Sequence, residues 1–520
     1  MLFNSYEFLF LFLPITLFGF HLIGKQGHHR IAIAWLVGAS LFFYGWWNPA
    51  YLGLILFSIL FNYSIGISLG NTSGYKLSSK SILTIGVIAN LMVLGYYKYA
   101  NFFVENLNKL SDSNLILHEV ILPLAISFFT FQQIAYLVDA YKGETKEYSF
   151  LHYCLFVTFF PQLIAGPIVH HKEMLPQFSK DIVYKLRSKH LAVGMTIFAL
   201  GLFKKVILAD GVSVYATPVF DAAEAGVVLT FFEAWIGALA YTFQLYFDFS
   251  GYSDMAIGIA RMFGVRLPLN FNSPYKATSI IDFWKRWHIT LSRFLRDYLY
   301  FPLGGNRKSK VRRHINLMTT MILGGLWHGA GWTFILWGAL HGLYLMINHG
   351  WRALFNKRNK TKIGLFFAWV VTFLAVVVSW VPFGAESISG ATHLLQAMAG
   401  VNGIALQESL EKVFVNYDLS FYVNIFTFDG MFHNSLYVNN FVAIYWIFLL
   451  LFVAVFFPNT QQLMRNHKPA FETYKGEVTK SSYKWTEWKK TILWAIFTSI
   501  IIVISILSLS GESEFLYFQF

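Results

Sequence analysis

The sequence predicts an all-α, polytopic integral membrane protein, with roughly ten spanning helices and further re-entrant or broken ones. Three observations predict it. Apolar residues make up 56% of the 520-residue chain and charged residues only 13%, about half the usual charged share of a soluble domain. With a mean hydropathy of +0.51, a soluble domain could not hide so much apolar surface, so the solvent must be lipid. Apolar runs of crossing length recur along the chain, and basic clusters separate them. Together these exclude a disordered chain, a coiled coil and an ordinary soluble enzyme.

In order, the apolar runs are 6–23, 31–47, 51–69, 82–97, 120–140, 191–210, 229–247, 363–381, 441–457 and 491–509. No basic stretch precedes the first and no small-residue cleavage site follows it, so it reads as a retained span and not a signal peptide. Lys and Arg cluster in 170–190, 261–313, 352–362 and 465–490, which the charge rule places in the cytoplasm. Segments 211–226, 384–440 and 511–520 have few basic residues. The last two carry Glu386, Glu408, Glu411, Asp418, Asp429, Glu512 and Glu514 and are expected on the other side, with both termini. The net charge of +13 is therefore first a topology signal and only second a hint of anionic partners. Segment 384–440 reads as an external loop, and with no internal repeat the whole chain, 1–520, reads as one domain. The single cysteine, Cys154, lies in an apolar run and reads as a packing residue.

Two apolar stretches, 150–169 and 314–350, have basic flanks on both sides and do not fit as full crossings. Polar or irregular backbone at membrane depth is tolerated only where protein or a water-filled cavity covers it. Residues 261–350 carry more of it than the rest of the chain. Wound as a helix, 281–298 puts Asp282, Lys285, Arg286, Arg293, Arg296 and Asp297 on one face. Phe283, Trp284, Trp287, Leu291, Phe294, Leu295 and Tyr298 occupy the other, so an amphipathic helix near the cytoplasmic interface is expected. His288 falls on its flank, beside Trp284, Leu291 and Leu295, where an interfacial structural histidine is the favoured reading on this helix alone. His328 lies deep in the next apolar stretch, between Gly324-Gly325 and Gly329-Ala-Gly331. The glycines break a helix and let backbones approach, so His328 is expected at the turn of a hairpin inside the membrane. An ionisable group there marks a functional candidate. His341, further along, is read as a core residue.

A neutral imidazole in a low-dielectric site can accept a proton from a hydroxyl, which suits acyl transfer. Other signals are weaker. The run Phe159-Phe-Pro-Gln-Leu-Ile-Ala-Gly-Pro167 fits a broken helix. Asp248 and Asp254 follow a span, to cap a helix or to pair with the basic face of 281–298. Segment 270–275 has turn chemistry. Lys204 and Lys205 interrupt an apolar run, snorkelling or lining a cavity, and 307–313 is a basic cluster suited to lipid headgroups or donor phosphates. No phosphate loop, dinucleotide fingerprint, nucleophile elbow or metal-spaced Cys/His set is present.

The combination of Phe159–Pro167, Phe247-Asp-Phe-Ser-Gly-Tyr-Ser-Asp254, Asn270-Phe-Asn-Ser-Pro-Tyr275, Phe283-Trp-Lys-Arg-Trp-His288 and Trp327-His-Gly-Ala-Gly331 resembles the membrane-bound O-acyltransferases. More narrowly, it resembles their bacterial alginate and cell-envelope O-acetyltransferase branch. The opening Met1-Leu-Phe-Asn-Ser-Tyr-Glu-Phe8 and the ending Tyr517-Phe-Gln-Phe520 are similar too. Teichoic acid D-alanyltransferases are a more distant match. The resemblance implies a central funnel of helices around a thinned bilayer, with the acyltransferase core at about 120–350. It implies catalytic roles for His328 and His288. It also implies acetyl-CoA as a cytosolic donor substrate, with no tightly bound cofactor and no metal. The acetyl group would cross a bacterial inner membrane to a polysaccharide, alginate-type above all, or to a periplasmic or extracellular partner acetyltransferase; nucleic acid has no part. Lys285, Arg286, Trp284 and Trp287 are then the candidates for holding the donor. The competing classes are a glycan or lipid transporter or flippase and a scaffold subunit of an exopolysaccharide synthase. Acetyl transfer by the purified chain separates them from an enzyme.

Overall fold

Backbone polar groups in lipid must pair within their own segment, so apolar runs of crossing length fold as helices. The structure is a computed structural model, and it describes residues 1–70, 78–118, 120–145, 149–355, 361–405, 426–427, 440–472, 478, 486–509 and 515–516. Nearly all of the regular structure among them is helical.

The N-terminal group is α1 (Phe8–Lys25), α2 (His29–Gly45), α3 (Tyr51–Gly70), α4 (Ser79–Ser111) and α5 (Ile126–Tyr141). Next come the short α6 (Phe150–Thr158), α7 (Phe160–Leu163) and α8 (His171–Phe178). Two long helices follow, α9 (Ser188–Glu224) and α10 (Phe231–Met262). The site region holds α11 (Ile280–Trp284), α12 (Ile289–Leu295), α13 (Lys310–His328) and α14 (Trp332–Phe355). The remainder is α15 (Lys362–Gly384), α16 (Ile388–Met398), α17 (Asn440–Phe456), α18 (Thr460–Leu463) and α19 (Ile492–Leu507). A two-residue parallel pairing joins Ile404–Ala405 to Phe426–Thr427.

Five of these helices, α1, α3, α4, α9 and α15, are long and apolar enough to cross a membrane, by length and composition. Several other expected spans are shorter: α2 has 17 residues, α5 has 16, and α17 and α19 are short apolar helices. Three expected bounds are corrected. The span expected to end at residue 97 continues as helix to Ser111, the one expected to end at 210 continues to Glu224, and the one expected to end at 247 continues to Met262. Lys98 and Asp248 are polar residues inside helices, not flanks. The expected external loop 384–440 contains the helix α16; its residues 406–425 and 428–439, with Glu408, Glu411, Asp418 and Asp429, lie outside the described residues. So do Glu512, Glu514 and the terminal 517–520.

Small residues set the central packing. A Cβ on Gly194 would stand 2.6 Å from the Gly258 carbonyl oxygen, and one on Gly258 would stand 2.7 Å from that of Gly194. Gly201 and Gly251 repeat the arrangement at 2.6 and 2.8 Å, so α9 and α10 run antiparallel with their backbones in contact. Just beyond that contact, Lys205 pairs with Asp248 and Asp210, each at 2.8 Å, and Lys204 with Asp254 at 2.6 Å. Thr460 and Gln461 also donate to Asp254. Asp248 and Asp254 therefore neutralise the two lysines of α9; they do not pair with the basic face of 281–298. A buried charge is tolerable only when paired, so this cluster fixes the register of the two helices.

Candidate active site

The site is built on the α13–α14 hairpin. Ser309 caps its first helix by accepting from the Arg312 N–H, and the helix stops at His328 because Gly329 is extended. The two helices touch through glycines: a Cβ on Gly325 would lie 2.2 Å from the Phe334 carbonyl oxygen, and one on Gly338 would lie 2.4 Å from that of Met321. His328 thus sits at the turn of a hairpin, with both helix bodies on one side of it. Its ring is enclosed edge-on by Trp337 (centroids 5.1 Å apart), Phe383 (5.2 Å) and Trp327 (5.0 Å).

His288 reaches the same place by a route the helical wheel does not contain. The expected helix over 281–298 is broken into α11 and α12, and His288 is the break, with φ of +42°. A non-glycine residue holds that left-handed backbone only when its surroundings fix it. The loop before α11 does so. Asn272 N–H donates to the Arg286 carbonyl at 2.9 Å, and Ile289 N–H donates to the Asn270 carbonyl at 3.0 Å. The Asn270 side-chain oxygen then accepts from the Thr290 N–H and hydroxyl and lies 3.1 Å from His288 Nδ1. An oxygen taking two other donors assigns the proton to Nδ1 and leaves Nε2 as the acceptor in the neutral ring. His288 is fully buried, 0% exposed, against Phe249, Phe271 and Trp327; the expected position on a helix flank is corrected. The His288 and His328 centroids are 6.3 Å apart, with ring planes at 62°.

The broken α6–α7 segment supports this arrangement. Its backbone turns at Phe159, and beyond α7 the Ile168 N–H donates to Thr290 Oγ1 at 3.1 Å. Asn270, through His288 and Thr290, therefore joins three chain segments. Asn270→Ala is expected to lower the thermal midpoint of the detergent-solubilised protein, by an amount corresponding to about 1–3 kcal/mol, because buried donors lose their acceptor. A thermal melt checks this against wild type.

The other candidates are placed as follows. His341 has both ring nitrogens engaged, accepting from Trp284 Nε1 at 3.2 Å and meeting Ser379 Oγ at 3.0 Å, which is the arrangement of a satisfied core histidine. Trp287 is buried among Phe271, Phe283 and Trp380. Lys285 is exposed, and Arg286 pairs with Asp282 at 3.0 Å. Arg293 does not stand on an exposed basic face; it is buried and grips Glu173 with two hydrogen bonds. Burial alone would raise the Glu173 carboxyl, but the hydrogen bonds and charge of Arg293 outweigh it and hold the group below its ordinary value. Beside that pair, Tyr298 donates to Asp139 at 2.8 Å, and His170 and His171 lie 3.7 and 3.6 Å from the same carboxylate. This network ties α5, α8 and the end of α12 together. Asn270 and Lys98, treated below, were not singled out by the sequence. Asn270 read as turn chemistry, and Lys98 sat just past an assigned span end.

The fold and the site define a multi-pass helical membrane protein with two imidazoles brought together at a glycine-built hairpin turn. Residues 72–383 match the model of MBOAT, the membrane-bound O-acyltransferase family, and the chain belongs to that family. It is similar to the Helicobacter pylori "Peptidoglycan O-acetyltransferase", at 46% identity over 78% of this chain and 81% of that one. It is similar over 100% of both chains, at 38% identity, to the Pseudomonas putida "Probable alginate O-acetylase AlgI". The Streptococcus thermophilus "Teichoic acid D-alanyltransferase" is 29% identical over 46% of this chain and 61% of that one. The protein is a membrane O-acyltransferase.

Proposed function

We propose that this protein takes acetyl from cytosolic acetyl-CoA and passes it across a bacterial inner membrane to O-acetylate an envelope or secreted polysaccharide. In this reading the polysaccharide is alginate-type, reached directly or through a periplasmic partner acetyltransferase, and both chain termini lie outside the cytoplasm. The observation that carries the reading is the juxtaposition of His328 and His288 at the hairpin turn, 6.3 Å between centroids. The relatives named for peptidoglycan and alginate acetylation support the acceptor class.

Exposure divides the two roles. His288 has no accessible surface at all, so the ring assigned to the incoming hydroxyl is that of His328, at the hairpin turn. His328 takes the hydroxyl proton, the oxygen attacks the thioester carbonyl carbon, and the carbon–sulfur bond breaks. The proton then passes to the departing sulfur, so CoA leaves as the thiol. His288, held by Asn270, orients His328 or the thioester. The surrounding indole and phenyl rings keep hydrolytic water from the acyl group. Exposed Lys285, with the half-buried Arg286 and Trp284 beside it, receives the donor from the cytoplasmic side, while Trp287, buried among aromatic rings, backs that surface from within.

The test is acetyl transfer by the purified chain. With acetyl-CoA and a soluble alginate oligosaccharide, CoA thiol should appear in step with O-acetyl groups on the sugar. Thiol release without sugar acetylation would move the acceptor to a partner protein. No thiol release with any hydroxyl acceptor would sink acetyl-CoA as the donor.

A further inference from the structure

A helix that ends inside a protein must find partners for its last four carbonyl groups, and in lipid no bulk water will supply them. The α13 helix ends on His328, and all four of its last carbonyls are accounted for. The Gly325 oxygen accepts from the Gly329 N–H at 3.4 Å. The Leu326 oxygen accepts from Tyr99 Oη at 2.9 Å. The Trp327 and His328 oxygens both accept from Lys98 Nζ, at 2.6 and 2.9 Å. Ser127 Oγ, at 3.4 Å, takes the third ammonium hydrogen.

The two donors come from α4, a helix more than 200 residues earlier in the chain. Lys98, Tyr99, Phe102 and Asn106 share one face of it at helical spacing. Phe102 packs on Trp332, and Trp332 Nε1 donates to Asn106 Oδ1 at 2.8 Å, so the same face grips both sides of the hairpin turn. Burying a lysine at this depth is expensive. Lys98 is only 8% exposed, and among the described residues no carboxylate pairs with it. Its counter-charge is the negative end of the α13 helix. A neutral alcohol could have capped one carbonyl; the ammonium fixes two consecutive ones, and the second belongs to His328 itself.

We infer that Lys98 is a positioning residue for His328: its ammonium clamps the Trp327 and His328 carbonyls and so sets where the imidazole stands. The inference rests on the reading of His328 as the transfer base. Lys98 does not touch substrate in this account. Its loss should therefore change turnover and leave donor binding alone.

The experiment compares Lys98→Met, Lys98→Arg and His328→Gln in the full-length, detergent-solubilised protein, with acetyl-CoA as donor. Misplacing a catalytic group by an ångström costs about 100-fold, so Lys98→Met should lose roughly that much kcat with KM for acetyl-CoA within about threefold. Lys98→Arg, which keeps the charge and two donors, should recover kcat to within about tenfold of wild type. If Lys98→Met turns over like wild type while His328→Gln is inactive, the inference falls and the function stands. If His328→Gln is itself active, the proposed function falls first. Equal losses in Lys98→Met and Lys98→Arg that follow a loss of thermal stability would reduce Lys98 to a structural cap and overturn the proposal. Should Lys98→Met fail to fold, Tyr99→Phe decides, since it removes one hydroxyl from the same clamp: kcat should fall about fivefold or more at unchanged KM, and wild-type kcat overturns the clamp.

Discussion

His328→Gln is expected to abolish acetyl transfer while the protein remains folded. Glutamine keeps a polar side chain of similar reach but cannot take a proton from an alcohol. General-base catalysis contributes about 10²–10⁴-fold, so steady-state transfer should drop by at least that range. The ring of His328 touches Trp327, Trp337 and Phe383 by its edges, and its backbone carbonyl is held by Lys98 whatever the side chain is. The hairpin should therefore survive the substitution. Thermal melts of the two proteins in one detergent, beside rates of CoA thiol release, separate lost chemistry from lost fold.

Gly338→Leu is the substitution expected to do the greatest damage to the structure itself. A single added Cβ would already stand 2.4 Å from the Met321 carbonyl oxygen and 2.9 Å from the Ile322 Cα. Those are backbone atoms, which cannot turn aside as a side-chain tip can. The hairpin helices must separate, and the cost exceeds the roughly 1–3 kcal/mol typical of overpacking because a whole isobutyl group follows the Cβ. Little folded protein should be recovered in a monodisperse detergent peak. A Gly338→Ala protein should be recovered in reduced yield, with its turnover impaired because the displaced strand of contacts ends at His328. Normal yield and rate for Gly338→Leu would show that the two helices are not in backbone contact.

The hairpin was legible in the sequence because its signals are local. Glycines flank His328 on both sides, and basic residues bracket the whole apolar stretch, so a turn at depth follows from adjacent residues. The environment of His288 was not legible. Helical periodicity carries 281–298 through as one amphipathic helix, and nothing nearby in sequence announces a left-handed residue at 288. The break is imposed by Asn270, 18 residues upstream, through hydrogen bonds that only the folded loop creates. Arg293 looked like part of an exposed charged face for the same reason; its partner Glu173 lies 120 residues away. Lys204 and Lys205 were visible as anomalies, and so were Asp248 and Asp254, but their pairing requires knowing that α9 and α10 run side by side. Lys98 fell off the edge of a hydropathy run that ends where charge begins. In the structure the helix continues past it, and the lysine faces a carbonyl pair supplied by residues 327 and 328.

In the proposed function, one imidazole at the hairpin turn joins a donor on one side of the membrane to an acceptor on the other. Sealed vesicles containing the purified protein test it most directly, with acetyl-labelled CoA supplied outside and an oligosaccharide acceptor trapped within. Wild-type protein should place labelled O-acetyl groups on the trapped sugar while labelled CoA donor stays excluded, and His328→Gln vesicles should place none. Label reaching the trapped sugar at equal rates in both preparations would contradict the account.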